Sequence, residues 1–447
     1  MLIDEARYAR APQSMARTLV LVGCFAVVAL LATLQVIAMR SGFQGPIHGL
    51  ISDYIATPKS ASVPWAGLAI ALVGVNNRRR LIAAGAAIGI DAVFLAERGL
   101  RGGVLTVGNG PMIVLTVLAV VAGLRWTGRE RSTALGAAAL GALLIVATKV
   151  GDAWLQITVM ARPTVLDHYA QLSDRALGNP SWVMGQVVDA LGPIGYGILH
   201  WVYIELPVAA IAVAIWQLRN VTRAEWPNHY LVRTFLVLGL LGPIVYVLFP
   251  VVGPMFAFGN GGQGFQAGNF WPNVVPELSL RPTAMPFDDF TPRNCMPSMH
   301  TAWALALFIH SRRGPAWLRY GGTFWLLCTL TATLGFGYHY GVDLVAGAVL
   351  CLTVESALRE PERGWGWFRI RLVGGGFFTL VALLLSYRFL AVEIAQYAEF
   401  AGPLIVGALL AVATAFYATF FARPGSVLGE WGRPTDHYAA VGISAKA

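Results

Sequence analysis

Two short stretches hold most of the residues in this chain that are able to do chemistry: RNCMPSMHTAW from residue 293 and GFGYHYGVDLVAG from residue 335. Between them they carry Arg293, Ser298, His300, His339 and Asp343. Pro297-Ser298 directly precedes an apolar run, the pattern of a helix start with Ser298 as its cap. The free main-chain N–H groups at such a start, together with the positive helix end, attract an anion, and phosphate is the obvious candidate. Asp343 stands four residues after His339, so on a helix its carboxylate reaches one imidazole nitrogen, fixes the tautomer and raises the basicity of the other. A histidine held in this way is equipped to act as a nucleophile.

The elements that must position these residues lie in a membrane. The chain has 447 residues, of which 56% are hydrophobic and only 12% charged, with a mean hydropathy of +0.62, far from the mix of a soluble domain. A bilayer core of roughly 30 Å takes about 20 apolar residues per helix. About twelve apolar runs approach that length, near 16–38, 62–76, 81–96, 110–124, 133–150, 196–216, 230–251, 297–311, 320–337, 340–357, 370–387 and 402–421. The fold class expected is therefore an all-α, polytopic integral membrane helix bundle. The first run is too long for a signal-peptide core and reads as the first anchor. Two helices of about 17–20 residues, rising 1.5 Å per residue, cross the core and return. The 39 positions from 300 to 339 thus bring the second histidine back to the leaflet of the first.

With twelve spans, the loops on the N-terminal side carry 21 of the 32 Lys and Arg and the opposite loops 9. This bias puts both termini in the cytoplasm and the two clusters on the outer face, and it accounts for the net charge of +9 without nucleic acid. The chain divides into an N-terminal membrane-span region (1–150), an interfacial outer segment (151–195), a catalytic membrane core (196–357) and C-terminal spans with a cytoplasmic tail (358–447). The interfacial segment suits helices that lie on the membrane and border a lipid's path to the site. The Gly- and Pro-rich loop 252–296 reads as a lid or part of a cleft. Asp91 and Glu97 fall in or beside a span, and Glu97 is expected to pair with Arg98 or Arg101 at the boundary. His310 falls near the inner end of its span and reads as a boundary residue, and His48, His168, His200, His229 and His437 have no constellation around them. The four cysteines indicate neither a disulfide framework nor a thiolate metal site.

PSMH followed by YHYGVD resembles the second and third signature motifs of the type 2 phosphatidic acid phosphatase superfamily, the membrane relatives of vanadium haloperoxidases. The form MPSMH…HYGVDLVAG is most similar to the inositol phosphorylceramide synthase-like branch. The resemblance implies a phosphatase-like catalytic bundle in the C-terminal half, no cofactor and no metal. It further implies that His339 attacks phosphorus to form a phosphohistidine, that Asp343 orients it, and that His300 acts as acid and then as base. Ser298 and the N–H of Met299 would hold the equatorial oxygens. The pattern departs from the superfamily at three places: position 274 is Val where a lysine is expected, Thr333 replaces an arginine, and Met299 replaces a glycine. Cationic help is therefore sought from Arg293, Arg281 or Lys149, in that order.

The function expected is lipid phosphotransfer or dephosphorylation, including phosphoinositol headgroup transfer, from a phospholipid or polyprenyl-phosphate donor to a lipid or water acceptor. Hydrolysis of a polyprenyl or phosphatidyl phosphate is the alternative within the class. A zinc site built on the two histidines and the aspartate leaves the serine and arginines without a role. A lipid transporter or flippase would also suit twelve spans, but transport relies on ionisable residues near mid-bilayer and on related halves, whereas here the charges gather at one face and no repeat is evident.

Overall fold

The computed structural model describes residues 13–259, 273, 278, 280–285, 291–361, 365–423 and 425–431. The N-terminal helices are α1 (Gln13–Ser41), α2 (Pro46–Ile55), α3 (Ser62–Val73), α4 (Asn77–Leu100), α5 (Asn109–Arg125) and α6 (Gly128–Ala161). A two-residue strand, β1 (Thr164–Val165), leads to α7 (Asp167–Arg175), α8 (Pro180–Ala190), α9 (Gly192–Ile204), α10 (Leu206–Leu218), α11 (Leu231–Leu248) and α12 (Pro254–Phe258). Then come β2 (Thr283–Ala284), α13 (Met299–Ser311), α14 (Ala316–Gly335), α15 (Gly341–Leu358), α16 (Trp367–Phe389), α17 (Ala391–Gln396), α18 (Ala398–Phe420) and α19 (Val427–Trp431). The only sheet among the described residues is the antiparallel pairing of β1 with β2.

Among the described residues, six helices are long and apolar enough to cross a bilayer, and the bent pair α9 and α10 makes a seventh if it counts as one span. The expected run 196–216 is this pair, bent by 53° at Glu205. Pro207 explains the break, since it has no N–H to give to the preceding turn and its ring crowds the carbonyl there. Runs 62–76 and 297–311 form helices of 12 and 13 residues, about 18–20 Å long, shorter than a bilayer core. At the other extreme, α6 runs unbroken for 34 residues, past the boundary expected at 150.

Burial sorts the helices. Leu21, Phe25, Phe378 and Leu404 each leave more than two thirds of their surface open, which in a chain this apolar marks a face turned to lipid. In α15, by contrast, 83% of the span is enclosed by protein. It packs against α13, α16, α18 and α11, and Val342, Ala346, Val349 and Cys351 sit in the largest core cluster. The helix bearing Asp343 is thus the axis of the C-terminal bundle. In the N-terminal bundle, Asp91 accepts hydrogen bonds from Trp65, Gly108 and Gly110, and Glu97 pairs with Arg101 at 2.9 Å. Most of the segment 252–296 expected as a lid, namely 260–272, 274–277, 279 and 286–290, lies outside the described residues.

Candidate active site

Ser298 caps α13: its Oγ accepts from the Thr301 N–H at 3.3 Å and from the Thr301 hydroxyl at 3.0 Å. This leaves Met299 and His300 as the first two helical residues. His339 is not on a helix. It ends the connection from α14, and Asp343 sits in the first turn of α15, where its Oδ2 accepts from the main-chain N–H of Tyr340 at 2.9 Å. The four-residue spacing is therefore used across a helix start, not along a helix face. It still sets His339 Nδ1 3.4 Å from Asp343 Oδ2, without the geometry of a hydrogen bond.

The two motifs meet. The ring centroids of His300 and His339 lie 6.5 Å apart, inclined at 63°. The main-chain N–H of Ser298 donates to the Asp343 carbonyl at 3.0 Å. Gly347 permits this approach, because a Cβ there would stand 2.3 Å from the Ser298 carbonyl oxygen. His339 is buried, and burial lowers its imidazole to about 3, with the Cys295 main chain pulling in the opposite sense. At neutral pH the ring is uncharged and one nitrogen keeps its lone pair, as a nucleophile requires.

The other phosphate-site residues divide. Met299 begins α13 beside the cap. Arg293 is buried on the segment that runs into the site, and its guanidinium donates to the Met285 carbonyl at 2.5 Å. Arg281 is exposed. Lys149 lies in the N-terminal bundle, where its Nζ is 2.6 Å from Asp53 Oδ2.

Several residues that hold the site carry no local signal in the sequence. Tyr203 of α9 stacks on His300, with centroids 4.0 Å apart and planes at 16°. Its hydroxyl is 3.1 Å from His300 Nδ1. Asp167 of α7 accepts from the Tyr340 hydroxyl at 2.9 Å and from the N–H groups of Val252 and Gly253. Asp174 accepts from the Val342 N–H at 3.0 Å. Both carboxyls are buried, and desolvation raises them, Asp167 to about 7 and Asp174 well above the ordinary range. These contacts give α7, expected only as an interfacial element, a direct part in fixing the His339 connection.

Cys295, His339 and Asp343 place a sulfur, a nitrogen and an oxygen within 4.8 Å of one another, a set that resembles metal donors. The chemistry of the sulfur fits poorly. Cys295 Sγ donates to the Tyr338 carbonyl at 2.9 Å and burial pushes its thiol up, whereas a metal binds the thiolate. At the far ends of α13 and α15, His310, which reads in the sequence as a boundary residue, and His229, which looked isolated there, converge on Glu355. His310 Nε2 is 2.8 Å from Oε1 and His229 Nε2 3.2 Å from Oε2. Thr234 and Arg359 also donate to this carboxylate.

Residues 174–356 match the family model described as the PAP2 superfamily, a stretch that holds Ser298, His300, His339 and Asp343. Residues 18–157 match a model described as a domain of unknown function. No curated protein and no solved structure matches the chain. The PAP2 match, taken with the apolar helices, points to phosphatase or phosphotransferase chemistry on lipid-type substrates by an integral membrane protein.

Proposed function

We propose that the protein is a membrane lipid phosphotransferase or phosphatase that works through a phosphohistidine on His339. The observation that carries this reading is the 6.5 Å between the two imidazoles. With ring centroids this far apart and the rings inclined to one another, a nitrogen of His339 can face a phosphorus while a nitrogen of His300 faces the oxygen that leaves it.

In the first step a His339 nitrogen bonds to phosphorus, the ester P–O bond breaks, and the alkoxide takes a proton from His300. As an imidazolium, His300 donates from Nδ1 to the Tyr203 hydroxyl oxygen and gives its Nε2 proton to the alkoxide, which leaves a neutral ring whose Nε2 is free to act as the base of the second step. In the second step His300 takes a proton from the acceptor hydroxyl, the acceptor oxygen bonds to phosphorus, and the P–N bond breaks. Ser298 and the N–H of Met299, at the start of α13, are suited to hold the equatorial oxygens. Arg293 is the candidate cation, since Lys149 is engaged by Asp53. The mechanism calls on no metal, and unchanged turnover after exhaustive chelation tests that.

Transfer between lipids, with phosphoinositol as the group moved, is the reading that the MPSMH…HYGVDLVAG form favours; hydrolysis of a polyprenyl or phosphatidyl phosphate is its rival. A topology of about twelve crossings, with both termini cytoplasmic and the histidines at the outer face, belongs to the same proposal and rests on the Lys and Arg bias. Incubation of the purified protein with labelled lipid, with and without an acceptor lipid, tests the function. Transfer yields a new labelled lipid, and hydrolysis yields only free headgroup or phosphate. Full turnover by both His300→Ala and His339→Ala proteins would sink the proposal.

A further inference from the structure

The N-terminal bundle contains a cavity of about 360 Å³ whose polar wall includes Ser52, Asp53, Lys59, Lys149, Asp152 and Gln156. That size falls among small-molecule sites. Lys149, Asp152 and Gln156 recur at helical spacing along one face of α6. Trp154, on the other side, donates to the Pro243 carbonyl of α11. Ser52 and Asp53 come from α2, which packs on α6.

The groups in this wall are more than folding needs. Lys149 Nζ and Asp53 Oδ2 are 2.6 Å apart, with side chains only 9% and 4% exposed. A buried pair of this kind adds little to stability unless its remaining donors and acceptors are also met. The ammonium has three N–H donors, and Asp53 is its ion-pair partner among the described residues. Gln156 Oε1 is buried and has no hydrogen-bond partner among them. At the more open part of the wall, Lys59 pairs with Asp152 at 3.0 Å.

The two lysines and two aspartates cancel, so a bare phosphate would meet two carboxylates and gain no net attraction. A hydroxyl matches every group present: it donates to Asp53, Asp152 and Gln156 Oε1 and accepts from Lys149. We propose that this cavity binds a neutral, hydroxyl-rich headgroup of sugar or polyol type, carried on a lipid. Asp152 and Gln156 occupy the last turns of α6, and the chain leaves that end through β1 to Asp167, the residue that holds Tyr340. The cavity and the two histidines therefore lie toward the same end of the bundle. The site does not depend on the phosphotransfer chemistry proposed above.

The experiment is equilibrium binding to the full chain in phosphatidylcholine nanodiscs, without turnover. Calorimetry reads methyl glucoside against inorganic phosphate, and native mass spectrometry reads retention of a glucosyl diacylglycerol included in the disc. The proteins compared are wild type, Gln156→Leu, and the double variant Lys149→Met with Asp53→Leu, which removes the buried pair without stranding one charge. The expected result is saturable binding of the glycolipid, weakened at least tenfold in both variants, with their thermal unfolding near that of wild type. Binding of free methyl glucoside as well would mean that the headgroup alone suffices; glycolipid binding only would mean that the lipid anchors it. The proposal is overturned if wild type binds neither probe, if inorganic phosphate binds more tightly than both, or if a folded Gln156→Leu protein binds as wild type does.

Discussion

The main chain of Ser298 is hydrogen-bonded to the main chain of Asp343 at 3.0 Å, so the cap of α13 and the first turn of α15 form one unit. Gly347 lies under this junction, with no room for a side chain. Gly347→Val is expected to destabilise the protein by about 1–3 kcal/mol, the usual cost of overpacking, and to lower activity by displacing the two motifs together. Thermal unfolding and turnover measured on the same preparation check this. A Gly347→Val protein as stable and active as wild type would show that the junction is not needed.

Removing His339 is expected to abolish labelling of the protein by a substrate carrying labelled phosphorus. Removing His300 has a different signature. With a natural lipid ester, turnover falls by about 10²–10⁴, the range of general acid–base catalysis. With an ester whose leaving group needs no proton, His300→Ala protein still takes up label and then holds it, because the base for the second step is missing. Acid-labile label located on His339 in that variant, and absent from His339→Ala protein, is the expected pattern.

Tyr203→Phe keeps the ring stacked on His300 and removes only the hydroxyl. A hydrogen bond of this kind is worth about 1 kcal/mol, so kcat is expected to fall roughly five- to tenfold while KM stays near its original value. The acid and alkaline limbs of the pH profile should also move, because the tautomer of His300 is no longer fixed. A merely structural tyrosine would change stability and leave the profile in place.

Asp167 supplies a pH signature in stability. Its carboxyl rises from 3.8 to about 7 on burial, so between those values the folded chain holds a proton that the unfolded chain has lost. Its contribution is present below about pH 4 and is lost as pH rises toward 7. The lowered His339 acts in the opposite sense, losing stability as pH falls below 6.5. The informative quantity is therefore the difference between wild type and Asp167→Asn. That difference is expected to shift in favour of the variant as pH rises from about 4 to 7, and denaturant unfolding across that range measures it.

Glu355 accepts from Thr234, His229, His310 and Arg359 and is buried. Truncating one partner of such a buried network costs about 3–5 kcal/mol. Glu355→Ala is expected to lower the unfolding midpoint sharply, while any folded fraction still incorporates label at His339, since about 18 Å of helix separates residues 343 and 355. Loss of labelling in a well-folded variant would tie this cluster to the chemistry.

The sequence alone determined the all-helical membrane class, because a mean hydropathy of +0.62 with few charges has no stable alternative in water. It also determined the start of α13 at Ser298 and the return of His339 to His300, since capping and the length of a helical hairpin are local, additive properties. It did not determine how many runs cross the bilayer. Pro207 bends one, and α3 and α13 stop after about three turns. Nor did it reveal that α7 would grip the His339 connection through Asp167 and Asp174, that Tyr203 would lie on His300, that Lys149 would belong to Asp53, or that His229 and His310 would meet at Glu355. Each of those facts is a contact between residues far apart in the chain. Which side chains share a contact is decided only when helices pack, because a helix fixes the direction of its own side chains but not the neighbour each of them faces.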